Sequence, residues 1–362
     1  KIDIEDSFIE NNDGSGIYII NTTTTLDITN SIINGNGGVS AYIINSTASF
    51  VDCSFDDNGT GASIINSTSS FVDCSFDDNG TGASMSSDGA IFDNCTFNNN
   101  IETGLSFTNN PSIDISECEF NFNGSSGLYL INGDLNEIED SPGMLITDCT
   151  FNNNGENGIY SNNSSPIISD CLLHDNGGAG MHSINSDPDI DNSTFLNNQN
   201  SGINSGGDGG LTINNCLFEN NAGSSGGGIS INYSAIPANI NIENSTFRQN
   251  QATGVVDDWD GSISGAFGGA IYNYGVRDIL IKNCLIEQNS AMNGGAFYSR
   301  FQVENEILIV NSTIVNNTAS KGGAIYAEYG GIFKLINSIL YFNQPEEINL
   351  GYALENSENI VE

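Results

Sequence analysis

The chain has 362 residues, with 45 acidic against 7 basic side chains and a formal net charge of −38. No Lys or Arg occurs between Lys1 and Arg248, so the basic footprint that duplex nucleic acid or an anionic membrane requires is missing and nucleic acid is not an expected partner. Its 38% hydrophobic residues and 19 Phe argue for an apolar interior rather than disorder, and no stretch approaches the roughly 18 to 20 apolar residues of a membrane span, so no transmembrane segment is expected in this chain.

An acidic surface of this density suits salt- or divalent-cation-rich surroundings, where screening shortens self-repulsion. The expected location is therefore extracellular or at the cell surface. With Lys1 first and no initiating Met, the chain is expected to be a processed product.

In chain order, the first strand expected is Gly16-Ile17-Tyr18-Ile19, followed by Leu26-Asp27-Ile28. Residues 43–63 and 64–84 are then a tandem duplication that differs only at Ala48 against Ser69, which sets a structural unit of 21 residues. A motif Asn/Asp–Cys/Ser–x–Phe–x–x–Asn marks each unit. Its Cys/Ser position falls at Ser7, Ser31, Cys53, Cys74, Cys95, Cys118, Cys149, Cys171, Ser193, Cys216, Ser245, Cys284, Ser312 and Ser338. An apolar residue follows two positions later (Phe55, Phe97, Phe151, Phe218, Ile286, Ile314), and three further on an Asn (Asn12, Asn58, Asn154, Asn221, Asn343).

Each period carries three short segments of alternating apolar and polar residues separated by Gly and Asn clusters. Alternation of that kind is the strand signature, and the clusters supply positive-φ turns. The pattern predicts an all-β, right-handed parallel β-helix of about fourteen coils, three short strands per coil, rising about 4.8 Å per coil. The helix is expected to occupy 1–343 as a single domain, with excursions near 132–143, 253–268 and 299–306. Residues 344–362 are expected to leave the repeat.

Positions repeated in every coil stack as columns. Cys and Phe, two apart, share the inward face, and the six consecutive cysteines from Cys53 to Cys171 are expected to be buried free thiols; no CxxC supports a zinc site. The Asn before many markers (Asn94, Asn192, Asn215, Asn244, Asn283, Asn311, Asn337) is expected in the turn between the second and third strands, stacked as a buried amide ladder. Burial would block its N-x-S/T sequons, which leaves Asn45, Asn66 and Asn123 as better-placed acceptors.

Two further columns carry candidate chemistry. Asp56 and Asp57 lie below Asp77 and Asp78 in the duplication, and like charges about 5 Å apart repel by roughly 1 kcal/mol even at water's dielectric. A Ca²⁺ ion held by these hard oxygens is a candidate cofactor, weighed against a solvated acidic patch. Asp257-Asp-Trp-Asp260-Gly is a weaker calcium candidate. An outward column on the first strand reads Tyr18, Ser40, Ser63, Ser84, Ser106, Tyr129, Tyr160, His182, Asn204, Ser230, Tyr272, Tyr298, Tyr326. Tyr129, Tyr160, Tyr272, Tyr298 and Tyr326 are candidate ligand-binding residues that would stack on sugar rings, a partner protein or a second copy. The alternative is cross-strand support of the sheet. His174 and His182 fall on different faces and are not expected to act as a pair.

Gly268-Gly-Ala-Ile271, Gly294-Gly-Ala-Phe297 and Gly322-Gly-Ala-Ile325, together with the Phe-x-x-Asn copies, resemble the GGAI/FxxN repeats of polymorphic outer membrane proteins and of β-helix repeat proteins of bacterial surfaces. The segment Asn337–Ile348 is similar to their late coils. The resemblance implies surface display, adhesion or a passenger role, and says little of activity.

A catalytic reading competes with this. A polyuronate lyase needs a base and cations for the uronate carboxylate, and Arg248, Arg277, Lys282, Arg300, Lys321 and Lys334 fall on differing coil positions. A hydrolase needs only two carboxylates roughly 5 to 9.5 Å apart. The expected function is a non-catalytic structural or adhesive solenoid that binds glycans or copies of itself, the alternative being a polysaccharide-degrading β-helix enzyme.

Overall fold

The computed structural model describes residues 1–21, 25–86, 89–109, 112–133, 143–232, 239–256, 263–275, 278–300, 306–328, 332–350 and 360–361. Two compact units divide the chain, Lys1–Leu172 and Leu173–Glu362. Among the described residues every secondary-structure element is a strand.

In the first unit, consecutive coils place their first strands (Val39–Ile44, Thr60–Ile65, Thr81–Ser86) in one parallel sheet and their second strands (Thr47–Val51, Thr68–Val72, Ala90–Asp93) in another. The marker segments form a third side, as single bridges such as Ser54 to Ser75 and then as the strands Glu119–Asn121 and Thr150–Asn152. The second unit repeats the plan with Ile271–Tyr274 beside Phe297–Arg300, Ile279–Lys282 beside Glu306–Val310, and Leu285–Glu287 beside Thr313–Val315. Both units are therefore stacks of three-strand coils, as the motif predicts.

Inward residues pack like on like. Phe50, Phe71 and Phe92 stack at 4.8 Å between ring centroids, and so do Phe55, Phe76 and Phe97. In the second unit Phe195, Phe218 and Phe247 repeat the stack at 4.8 and 4.6 Å. The offset that register imposes on parallel rings contributes beyond buried area. All eight cysteines are buried and free, and Sγ lies near the carbonyl two residues back, 3.3 Å from Val51 O for Cys53. Burial pushes the Cys284 and Cys216 thiols up, to about 11 and about 12.

The buried amide ladder lies elsewhere than expected. It is the last Asn of the motif that is buried, in both units. The Oδ1 of Asn123 accepts from the backbone N–H of Asn100 at 3.1 Å and from its Nδ2 at 2.9 Å, while the Nδ2 of Asn123 donates to Phe97 O at 2.9 Å. Each amide thereby satisfies the backbone that turns out of the marker strand. Asn123, expected to accept a glycan, is only 1% exposed. The Asn preceding the marker does occupy a turn, with φ of 50° at Asn94 and 51° at Asn311, but it is exposed.

The Gly-Gly-Ala repeats have a backbone cause. Gly268, Gly294 and Gly322 adopt φ of 64°, 68° and 61°, a region that strains any residue with a Cβ. At the second glycine a Cβ would collide with the carbonyl of the coil above, Gly323 O over Gly295.

One boundary lies elsewhere than expected. Residues 344–350 stay in the repeat, because Ile348–Leu350 pairs in register with Ile325–Ala327. The expected excursion at 253–268 contains an antiparallel pair, Val255–Val256 with Ile263–Ser264, while Asp257–Asp260 between them lies outside the described residues. Most of 132–143 and of 299–306 lies outside them too.

Candidate functional site

An open groove of about 700 Å³ runs along the first unit, where the second strand turns into the marker segment. Its rim is the motif's first position. Asp6, Asn30, Asp52, Asp73 and Asn94 all hold φ between 47° and 54°, a left-handed corner that Asn and Asp tolerate best among residues with a Cβ. Asn94 donates its Nδ2 to Asp73 Oδ1 at 2.6 Å, and Asn30 donates to Asp6 Oδ1 at 2.5 Å. Asp52 sits between them, exposed, with no side-chain partner among the described residues. The floor is formed by the outward side chains Ile32, Ser54, Ser75 and Thr96, with the exposed ring of Phe8 at one end. Carboxylates and amides on the rim thus face a floor of hydroxyls that turns apolar at the Phe8 and Ile32 end, and no Lys or Arg lines the groove.

The expected calcium pairs lie beside this groove, and Asp56 and Asp77 have protein donors. Asp56 Oδ2 accepts from Ser54 Oγ at 2.6 Å and Ser75 Oγ at 3.0 Å, and Oδ1 from the Asp77 backbone N–H at 2.9 Å. Asp77 is held in the same way by Thr96 Oγ1 at 3.0 Å and the Asn98 N–H at 2.6 Å. Asn34 and Asn98 play the same part in neighbouring coils, so Asp56 and Asp77 are rungs of an outer Asx ladder. Burial raises the Asp77 carboxyl above its ordinary range. Asp57 and Asp78 are exposed turn residues at φ 59° and 57°. Among the described residues no group of three or more His, Cys, Asp and Glu is arranged to hold a metal.

The tyrosine column is real but only partly exposed. In the first unit the register runs Tyr18, Tyr42, Ser63, Ser84, Ser106, Tyr129, Tyr160. Tyr42 takes the place assigned to Ser40, which is buried with its hydroxyl donated to Ile33 O. Tyr129 and Tyr160 stack at 4.7 Å, half-exposed. In the second unit Tyr272, Tyr298 and Tyr326 stack at 5.5 Å, yet Tyr298 is 1% and Tyr326 8% exposed. Phe267, from the excursion, covers Tyr298 at 4.5 Å, and the Tyr298 hydroxyl donates to Glu328. Tyr298 and Tyr326 are thus buried within their own chain, while Tyr272 stays part-exposed.

Four cations of the second unit are paired along the stack: Arg248 with Glu219, Lys282 with Glu243 and Lys334 with Glu306, each at 2.8 Å, and Arg300 with Glu328 at 3.9 Å. Arg277 lies outside the described residues. His174 and His182 belong to different sheets; burial lowers the His182 pKa, and His174 contacts Asp175 at 2.7 Å.

With this geometry in view, a family model described as the right handed beta helix region matches residues 1–141, 42–188 and 103–264. The chain belongs to the right-handed β-helix family. No curated protein matches it. Among solved structures, this β-helix is similar to the catalytic domain of Agl-KA, at 12% identity over 100% of this chain and 63% of that one, with a TM-score of 0.45. It is also similar to the catalytic unit of a thermostable GH87 α-1,3-glucanase from Streptomyces thermodiastaticus strain HF3-3, at 12% identity over 91% and 62%, with a TM-score of 0.35. The chain spans less than two thirds of either.

The sequence reading passed over the groove. Its signal was present as the acidic first position of the motif, Asp52 and Asp73 in the two duplicated copies. Reading that position only as a turn hid the fact that its carboxylates line a concavity.

Proposed function

We propose that this β-helix works outside the cell or on its surface and recognises a neutral polysaccharide along the corner groove of the first unit. The observation that carries the reading is the groove lining: stacked carboxylates and amides on the rim, hydroxyls along the floor, the apolar Phe8 and Ile32 at one end, and no cation. Sugars offer hydroxyls to the first two and a ring face to the third, whereas a uronate would meet uncompensated like charge. The Gly-Gly-Ala repeats' resemblance to surface-displayed proteins supports the location.

A second reading, hydrolysis, is favoured by Asp52 and Asp73. They occupy successive coils, one strand spacing or about 4.8 Å apart in backbone, and a retaining glycosidase holds its carboxyl pair roughly 5 to 5.5 Å apart. In that reading one carboxyl protonates the leaving oxygen and the other attacks or stabilises the anomeric carbon.

Affinity electrophoresis in gels of neutral glucan, mannan or xylan, beside polygalacturonate, tests recognition, and reducing-end release tests turnover. Retardation by a neutral polysaccharide that Ser75→Phe abolishes is expected; no retardation, or retardation indifferent to Ser75→Phe, rejects the groove. Turnover lost in Asp52→Asn or Asp73→Asn assigns hydrolysis, and binding without turnover assigns adhesion.

A further inference from the structure

We propose that Asn192, Asn244 and Asn311 are N-glycan acceptors, placed on every second coil along one corner of the second unit. Each opens an Asn-Ser-Thr sequon: Asn192-Ser193-Thr194, Asn244-Ser245-Thr246 and Asn311-Ser312-Thr313. The coils between them present Asn215-Cys216-Leu217 and Asn283-Cys284-Leu285 at the same place, which are not sequons. Strand register makes the alternation spatial, since Thr194, Leu217, Thr246, Leu285 and Thr313 pair in sequence. The Asn of all five coils is exposed, and the three sequon residues hold φ of 47°, 50° and 51°. They therefore occupy tight exterior turns, where acceptors belong.

The spacing has a steric reason. Adjacent coils are about 4.8 Å apart, less than the width of a substituted pyranose, and alternate coils give about 10 Å. Folding tolerates the modification as well. The Asn244 Nδ2 donates to Asn214 Oδ1 at 2.7 Å, and the Asn311 Nδ2 to Asn283 Oδ1 at 3.3 Å. Glycosylation replaces one of two N–H bonds and leaves the other for this exposed ladder.

The donor is a lipid-diphosphate-linked oligosaccharide. The bond from Nδ2 to sugar C1 forms as the bond from C1 to the diphosphate oxygen breaks. The diphosphate leaves with the electron pair, and the amide loses a proton to a base of the transferase. The proposal rests on the extracellular reading and is independent of the groove.

The test is glycopeptide mass spectrometry on the full chain, expressed with a secretion signal in cells competent for oligosaccharyl transfer. Hexosamine-bearing peptides are expected at Asn192, Asn244 and Asn311 and not at Asn215 or Asn283. Thr313→Ala, which keeps the Asn311 turn, should remove the glycan at Asn311 alone and leave the thermal melt unchanged. Unmodified peptides at the three sites, or a glycan at Asn311 that survives Thr313→Ala, overturn the proposal. Secreted but unmodified protein leaves the extracellular reading standing; protein that fails to leave the cell and is unmodified counts against both.

Discussion

Replacing Asn221 by Ala removes one rung of the buried amide ladder in the second unit. Its Oδ1 accepts from the Asn198 backbone N–H at 3.0 Å and from Asn198 Nδ2 at 2.9 Å, and its Nδ2 donates to Phe195 O at 2.8 Å and Asn250 Oδ1 at 3.1 Å. Two of the partners keep an alternative: Asn198 Nδ2 still donates to Leu173 O, and Asn250 Oδ1 still accepts from the Asn221 backbone N–H. The Asn198 N–H, fully inside the stack, loses its acceptor, and Phe195 O loses a donor. An orphaned buried donor costs about 1–3 kcal/mol and a lost bond about 1, so Asn221→Ala should destabilise by about 3 kcal/mol. Asn221→Asp, the same size, should cost at least as much, because an acceptor replaces the donor that faces Phe195 O. Neighbouring Asn220 is exposed at φ 54°, so Asn220→Gly should change little. Urea unfolding followed by circular dichroism reads these changes, with midpoint and slope compared together because solenoids lose two-state behaviour. A cost below about 1 kcal/mol for Asn221→Ala would show that water or backbone adjustment replaces the amide, and the ladder would lose its structural standing.

Two further outcomes follow from burial. Burial raises the Asp77 carboxyl pKa in the folded state, so folding binds its proton more tightly, and stability contributed by this group falls as pH rises through that folded value. Asp77→Asn, which matches Asn34 and Asn98 in the same ladder, should raise the melting temperature at pH 7, with an advantage that shrinks in acid. An unchanged or lower melt at pH 7 refutes this. The eight thiols are buried, and at Cys216 and Cys284 burial lifts the pKa to about 12 and about 11. An aromatic disulfide reagent at pH 8 should therefore titrate none in the native protein and eight after denaturation, and fast native labelling would place a thiol at the surface.

The duplication at 43–84, the marker spacing and the period-two alternation were enough to place Cys53, Phe55 and their equivalents inward, because a strand offers only two faces and the apolar one must be buried. The same logic cannot tell which of two asparagines in a motif is inside. Asn94 and Asn100 look alike in sequence, and only the path of the turn exposes the first and buries the second. Tyr298 shares the register of Tyr272 and Tyr326, yet Phe267, distant in sequence, covers it; no local pattern encodes what an excursion folds back onto. The coil, its register and its core were thus determined by the sequence itself, since a repeat imposes one local geometry many times over. The groove, the partners that hold Asp56 and Asp77, and the burial of Tyr298 were decided by tertiary structure, where concavity and coverage depend on residues that are neighbours only after the chain has wound.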